Sequence, residues 1–441
     1  MLKIRILIVL FIIQIFFLST SLASEPVRKE VLENGITVLV KEVDENIAAI
    51  EVFVKAGVMN ESKEKVGISR FLTAVLLRGT SKYNARDRNF KIESIGGVVQ
   101  GDNNPDYAEY YALTTAKYFD IGLDLVSDLI QNPAFADEEI EKERKDVFLE
   151  IEKLQNKPFA RLNDLFNATL FQRHPYGRPA LGYRETIEKI TKEDLINFYK
   201  SNYVGKNMVI SIVGNINTDS VLQKVKNAFQ DIPNTPPPQL NNPEEPKPLL
   251  WREDYKVYSS DTAYLFLGYL SPSIQSPDFP AMEVLQLIIG GGMNSRMWIN
   301  FREKKGLAYD LGSFMSPSIG PGHMVTFIAT SPGKVNEARR MILEDIKGIR
   351  DGKISNEEIE IMKTFRIGQY YINQETVKSQ AFELGLYETL GVGYQYYLNY
   401  PDLIQKVTKD DIIKVANAYL TNHVMIILSP RRPNIESFRV K

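Results

Sequence analysis

The feature that most constrains this chain is a hexapeptide that occurs twice. Ile190-Thr191-Lys192-Glu193-Asp194-Leu195 returns as Val407-Thr408-Lys409-Asp410-Asp411-Ile412. In both places a threonine stands where a helix N-cap is wanted, and a helix, a tyrosine and an apolar strand follow. The strands are Met208-Val209-Ile210-Ser211-Ile212-Val213 and Val424-Met425-Ile426-Ile427-Leu428. Glu138-Glu139-Ile140-Glu141 is matched in the same way by Glu357-Glu358-Ile359-Glu360. A period of about half the 441-residue chain is far too long for a solenoid and implies two homologous domains. The length also exceeds one ordinary hydrophobic core.

Each half reads as strands followed by helices. Asn34-Gly35 predicts a tight turn between two β-prone runs, with a further strand over Ala48–Lys55. Helices are predicted for the stretch after Gly67, for Asp87–Ile95 and for Phe119–Gln131. A long helical stretch follows from Asp137 towards Leu170, broken at Pro158. In the second half, helical stretches are predicted over Arg296–Lys305, Lys334–Asp351 and Asn356 to about Leu390. Between the halves, Pro233 to Pro248 is rich in proline with polar residues interspersed, the composition of a semi-stiff linker. The expected domains are therefore 24–232 and 251–441, joined by 233–250.

The first 23 residues are of another kind. Lys3 and Arg5 precede an apolar run from Ile6 to Leu18, and Ser21 and Ala23 supply the small residues of a cleavage site. That is the pattern of a secretory signal peptide, too short to span a bilayer. The chain has no cysteine, which excludes thiol catalysis and disulfides. Export without disulfides points to a bacterial periplasm. With 53 basic and 55 acidic side chains there is no electrostatic footprint for nucleic acid or an anionic membrane.

The candidate site begins at Gly67-Ile68-Ser69-Arg70-Phe71-Leu72-Thr73-Ala74-Val75-Leu76-Leu77-Arg78-Gly79-Thr80. Its apolar residues fall at helical spacing between bounding glycines. A metallopeptidase helix of the order H-x-x-E-H presents two imidazoles on one face with a glutamate between them as general base. The corresponding positions here are Arg70, Thr73 and Ala74. Neither threonine nor alanine can bind zinc or take a proton from its water, and a permanently charged arginine repels a dication. The only histidines, His174, His323 and His423, lie in three separate regions.

The export signal, the Asn-Gly hairpin, the glycine-bounded helix, the proline-rich linker and the block Phe301-Arg302-Glu303-Lys304-Lys305-Gly306-Leu307-Ala308-Tyr309 together resemble the pitrilysin/insulinase family of zinc peptidases. Within it they are most similar to the branch of processing-peptidase-like subunits. The resemblance implies two homologous α+β domains, each a mostly antiparallel or mixed sheet with helices on one face, forming half of a clam-shell. It makes Glu150, with Glu143 seven residues earlier, the counterpart of the family's distal glutamates. It also makes Arg302 and Tyr309 the pair that reaches an active site from the second half, clamping the substrate backbone and stabilising an oxyanion.

Two further regions gain expectations from the resemblance. Gly290-Gly291-Gly292 has neither the spacing nor the context of a phosphate loop, and the family uses this segment to line the substrate chamber, so Gly291 and Gly292 are candidate peptide contacts. Gln100 and Gly101 fall on the edge strand to which substrates add. The family's usual Asn-Ala is replaced there.

The combined expectation is a subunit that binds no cofactor itself and assembles with a homologous subunit bearing H-x-x-E-H and zinc, lending it Arg302 and Tyr309 in trans on peptide substrates. The alternatives are a purely structural scaffold subunit and a stand-alone peptide-binding module.

Overall fold

The computed structural model describes residues 27–432 except Asn241. The expected signal peptide at residues 1–23 lies outside the described residues. The first half forms a six-stranded sheet from β1 (Arg28–Val31), β2 (Thr37–Glu42), β3 (Ala48–Val54), β4 (Val98–Asn103), β5 (Ala108–Thr114) and β6 (Met208–Gly214). The second forms a five-stranded sheet from β7 (Arg252–Val257), β8 (Ala263–Ser271), β9 (Asp310–Met315), β10 (Gly322–Thr330) and β11 (Val424–Ser429). The orders are β1-β2-β6-β3-β5-β4 and β7-β11-β8-β10-β9.

The duplication seen in the sequence is thus a duplication of topology. In each sheet the last strand of the half enters beside its first major strand. β6 runs parallel to β2 and antiparallel to β3, and β11 runs parallel to β7 and antiparallel to β8. Only β1 has no counterpart, and it is held by the tight turn at Gly35, whose φ of +90° favours glycine. The repeated threonines do cap their helices: Thr191 accepts from the Asp194 N–H and Thr408 from the Asp411 N–H.

Each half lays its own helices on one face of its sheet. Ile50, Val52 and Val54 of β3 pack with Phe71, Leu72 and Val75 of the Ile68–Leu76 helix. Ala49 and Phe53, alternate residues of β3, point away from that layer and join a core built mainly from the second half. Helix Val377–Thr389 of the second half lies there, across β3 and β6. In return, helix Pro158–Leu170 of the first half lies across β8 and β11, packing Phe166 and Leu170 on Phe266 and Ile426. Every residue of β3, β6 and β11 is buried, so these strands read as apolar runs interrupted only by Glu51, Ser211 and Ser429 rather than as alternating ones.

The exchange explains a break within one expected stretch. The helical stretch predicted from Asn356 to about Leu390 is two helices, Asn356–Asn373 and Val377–Thr389. Thr376 caps the second by accepting from the Ser379 N–H. The break lets the second helix turn off its own half and cross to the other sheet. Helix Val377–Thr389 buries residues on nearly all sides and carries no amphipathic period of its own, so periodicity does not mark where it begins.

Close approach at this crossing depends on Gly385. A Cβ there would stand 2.4 Å from the Phe53 ring and 3.0 Å from the Ser211 Cβ. Glycine to alanine inside a helix ordinarily stabilises by about 1 kcal/mol. Here overpacking outweighs that gain, and Gly385→Ala is expected to destabilise by roughly 1–3 kcal/mol in urea unfolding. An unchanged or raised midpoint would show that the crossing is loose.

Candidate functional site

The Ile68–Leu76 helix starts at Gly67, whose φ of +94° and packing against Gly182 leave no room for a side chain. Its N-terminus is capped from a distance. The Glu61 carboxylate accepts from the Gly67 N–H at 2.9 Å and the Ser69 N–H at 3.1 Å, and also from the Ser69 hydroxyl. This is a helix N-terminus satisfied by an anion. Glu61 is buried, and burial pushes its carboxyl up to about 7 against the pull of those donors.

That shift makes a stability prediction. Unfolded, the Glu61 carboxyl ionises near 4.5, whereas folded it keeps its proton to about 7. The folded state therefore binds the extra proton in this window. The stabilisation is complete below 4.5 and is lost as the pH rises to about 7, by roughly 3 kcal/mol for this group alone. Urea midpoints for Glu61→Gln are expected to fall less steeply over that window than those of the unaltered protein. Parallel curves would assign the dependence to other carboxyls, such as Glu383, which burial raises in the same sense.

Along the helix, the residues at the degenerate metal positions are absorbed into structure. Thr73 is fully buried, and its hydroxyl donates to the Ser69 carbonyl at 3.0 Å. Beneath it the hydroxyls of Tyr110 and Tyr203 bond each other at 2.6 Å. Ala74 is buried one residue further on. Arg70 is half-buried, and its guanidinium stands 3.7 Å from the carboxylate of Glu150 on helix Asp137–Gln155. The sequence-predicted pair Arg70 and Glu150 is therefore brought together, with a cation fixed to the protein where a metal would need ligands. Glu143 is engaged by Arg78, whose Nε donates to it at 2.6 Å while another nitrogen pairs with Asp146. These residues do not fit a zinc ion, and among the described residues no cluster of three or more histidines, cysteines or carboxylates could hold one.

The histidines take other duties. His174 bonds Asn242, and His423 bonds Glu253 beside Arg339. His323 sits among Phe166, Phe171 and Phe314, where burial pushes it down to about 4.

Gln100 and Gly101 lie on β4, the outer strand of the first sheet, beside the degenerate helix. Gln100 is exposed, and its side-chain carbonyl accepts from the Tyr111 hydroxyl. Gly101 has Tyr110 of β5 against its Cα, 2.7 Å from where a Cβ would stand. Gly291 caps helix Phe279–Gly290, and a Cβ at Gly292 would stand 3.6 Å from the Phe365 ring.

Arg302 and Tyr309 also come together. The predicted helix over Arg296–Lys305 is in part a π-helix, Trp298–Glu303, a local form often found at functional sites. It ends at Gly306, whose φ is +53°. The chain then returns so that Arg302 donates to the Tyr309 carbonyl at 2.6 Å, with its guanidinium 4.8 Å from the centroid of Trp298. The Tyr309 ring is 65 % exposed. Among the described residues neither side chain has a hydrogen bond or ion pair to the first half. The arrangement presents an exposed cation tied to the Tyr309 backbone and an exposed phenol on the same residue, groups able to donate to carbonyl oxygens or to an oxyanion. Sequence reasoning missed two supports of the site, Trp298 beneath Arg302 and Glu61 at the helix N-terminus. Trp298, four residues before Arg302, was legible as an i,i+4 neighbour. Glu61 lies outside its helix, with no local signature.

Comparison with known proteins covers both halves. Residues 37–184 match the family model described as insulinase (peptidase family M16), and residues 189–365 match the one described as the peptidase M16 inactive domain. An uncharacterized zinc protease of Rickettsia felis is 28 % identical over 388 residues, covering 88 % of this chain and 93 % of that protein. The uncharacterized zinc protease YmxG of Bacillus subtilis is 28 % identical over 389 residues, covering 88 % and 89 %. Among solved structures, a protease from Helicobacter pylori superposes with a TM-score of 0.87 at 22 % identity, covering 92 % of this chain and all of that one. A peptidase M16 inactive domain from Pseudomonas fluorescens does so with a TM-score of 0.86 at 18 % identity, covering 93 % and 100 %.

Proposed function

The chain belongs to the insulinase (M16) family of peptidases, and from that premise we propose that it is the non-catalytic, substrate-positioning subunit of a heteromeric zinc peptidase. The observation that carries this reading is an asymmetry. The metal positions of the first half are closed by the Arg70–Glu150 pair and by Thr73, whereas Arg302 and Tyr309 of the second half stand exposed and adjacent. In this reading a homologous partner subunit carries H-x-x-E-H and its zinc. This chain supplies the Arg302 guanidinium and the Tyr309 hydroxyl as donors to the substrate carbonyl and to the charge that develops on it. The exposed edge of β4, with Gln100 and Gly101, and the turn at Gly291 and Gly292 provide surfaces for an extended peptide. The apolar leader at residues 1–23 supports export, and the absence of cysteine suits a periplasm. The domain limits 24–232 and 251–441 are proposed with it.

The test is co-expression of the mature chain with an H-x-x-E-H homologue, measuring zinc content and peptide cleavage for each chain alone and for the pair. Activity only in the pair is expected. Zinc-dependent cleavage by this chain alone would overturn the proposal. A complex as active with Arg302→Ala and Tyr309→Phe as without them would make the chain a scaffold.

A further inference from the structure

A cavity of about 370 Å³ lies on the joint between the halves. Asp106, Tyr107, Phe171 and Tyr176 line it from the first half, and Phe314 and His323 from the second. Asn163 and Asn167, one turn apart on helix Pro158–Leu170, add amide groups. No lysine or arginine is among the lining residues.

The charge in this wall is unbalanced. Asp106 is 6 % exposed and accepts from the Tyr176 hydroxyl and, at 3.1 Å, from the Ile319 N–H. Among the described residues it has no ion-pair partner. Burial pushes it up to about 6, which still leaves it ionised at neutral pH, and His323 is neutral there. Tyr107, Phe171, Tyr176 and Phe314 place aromatic rings in the wall among asparagine, serine and proline residues, and a ring face carries negative electrostatic potential. An anion entering this space would meet a buried carboxylate and no cation. An ammonium group would meet both a carboxylate and ring faces, the two features that hold such groups in proteins.

We propose that this cavity binds an ammonium group, brought either by the N-terminus of a peptide or by a small organic amine. The site is separate from Arg302 and Tyr309, and the proposal does not depend on the peptidase reading. It gives the joint a ligand that touches both halves, through Asp106 on one side and Phe314 on the other.

Isothermal titration of the mature chain at neutral pH with trialanine, N-acetyl-trialanine and ethylammonium chloride tests it. Saturable binding of the two amines is expected, with the acetylated peptide at least about tenfold weaker than the free one. Trialanine binding tighter than ethylammonium identifies a peptide terminus, and equal binding identifies the free amine. Asp106→Asn removes the charge and keeps only one of the two accepting oxygens, of which Oδ1 now serves the Tyr176 hydroxyl and Oδ2 the Ile319 N–H, and is expected to weaken binding about tenfold. Phe314→Leu lies outside that hydrogen-bond network and is expected to weaken it severalfold, even if Asp106→Asn does not fold. Equal affinity for acetylated and free peptide, no binding of either amine up to about 10 mM, or unchanged affinity in a folded Phe314→Leu variant would each overturn the proposal.

Discussion

Replacing Arg302 by alanine in the proposed heteromeric peptidase is expected to lower kcat/KM roughly 10²-fold, about 2.7 kcal/mol of transition-state stabilisation, while zinc content and assembly stay unchanged. The size follows from the geometry. Arg302 is exposed and, among the described residues, makes one hydrogen bond, to the Tyr309 carbonyl. With the Trp298 contact included, its loss changes folding stability by no more than about 2 kcal/mol, and a larger kinetic effect cannot come from unfolding. Arg302→Lys keeps the charge without the planar fork and is expected to fall between the two. Tyr309→Phe removes one donor from a solvent-facing phenol and is expected to lower the rate roughly tenfold. Steady-state kinetics on a peptide substrate separates these outcomes. If Arg302→Ala raises KM and leaves kcat alone, the guanidinium binds the ground state and transition state equally and acts only as a docking group.

The second large effect concerns the closed metal site. Arg70 and Ala74 lie one turn apart on the Ile68–Leu76 helix, and Arg70 already reaches Glu150. The double variant Arg70→His, Ala74→His is therefore expected to create a three-ligand site with Glu150 and to bind one zinc reversibly to chelator. Bound metal would stabilise the fold by about 2.7 kcal/mol when free zinc is a hundredfold above the dissociation constant. No peptidase activity is expected from it, because no general base occupies position 73. Nor can one simply be restored. Thr73→Glu would push a carboxylate into a fully buried position above the bonded hydroxyls of Tyr110 and Tyr203, at a loss of roughly 3 kcal/mol or more. Zinc content by atomic absorption and urea unfolding check the two halves of this prediction. Tight zinc binding by the single variant Ala74→His would show that Arg70 does not exclude metal.

Much of this was legible in the chain before any geometry. The repeated Thr-x-x-Asp capping boxes and the apolar strands after them set two α+β halves, because caps and periodicity are local properties of the backbone. The loss of the metal chemistry was legible too, since Arg70, Thr73 and Ala74 lack the required atoms whatever their surroundings. The candidacy of Arg302 and Tyr309 came instead from the resemblance of the Phe301–Tyr309 block to the family.

What the tertiary structure alone decided is how those pieces meet. Nothing local in Thr376 or Gly385 says that helix Val377–Thr389 leaves its own half to cover β3, or that Phe53 is the ring it must clear. Glu150 is an ordinary helical glutamate until folding sets it against Arg70, and Asp106 an ordinary loop aspartate until the halves close around it. The physical reason is the same in each case. Hydrogen-bonded turns and caps are written within a few residues, whereas burial, charge pairing and cavities depend on which distant surfaces the hydrophobic cores bring together.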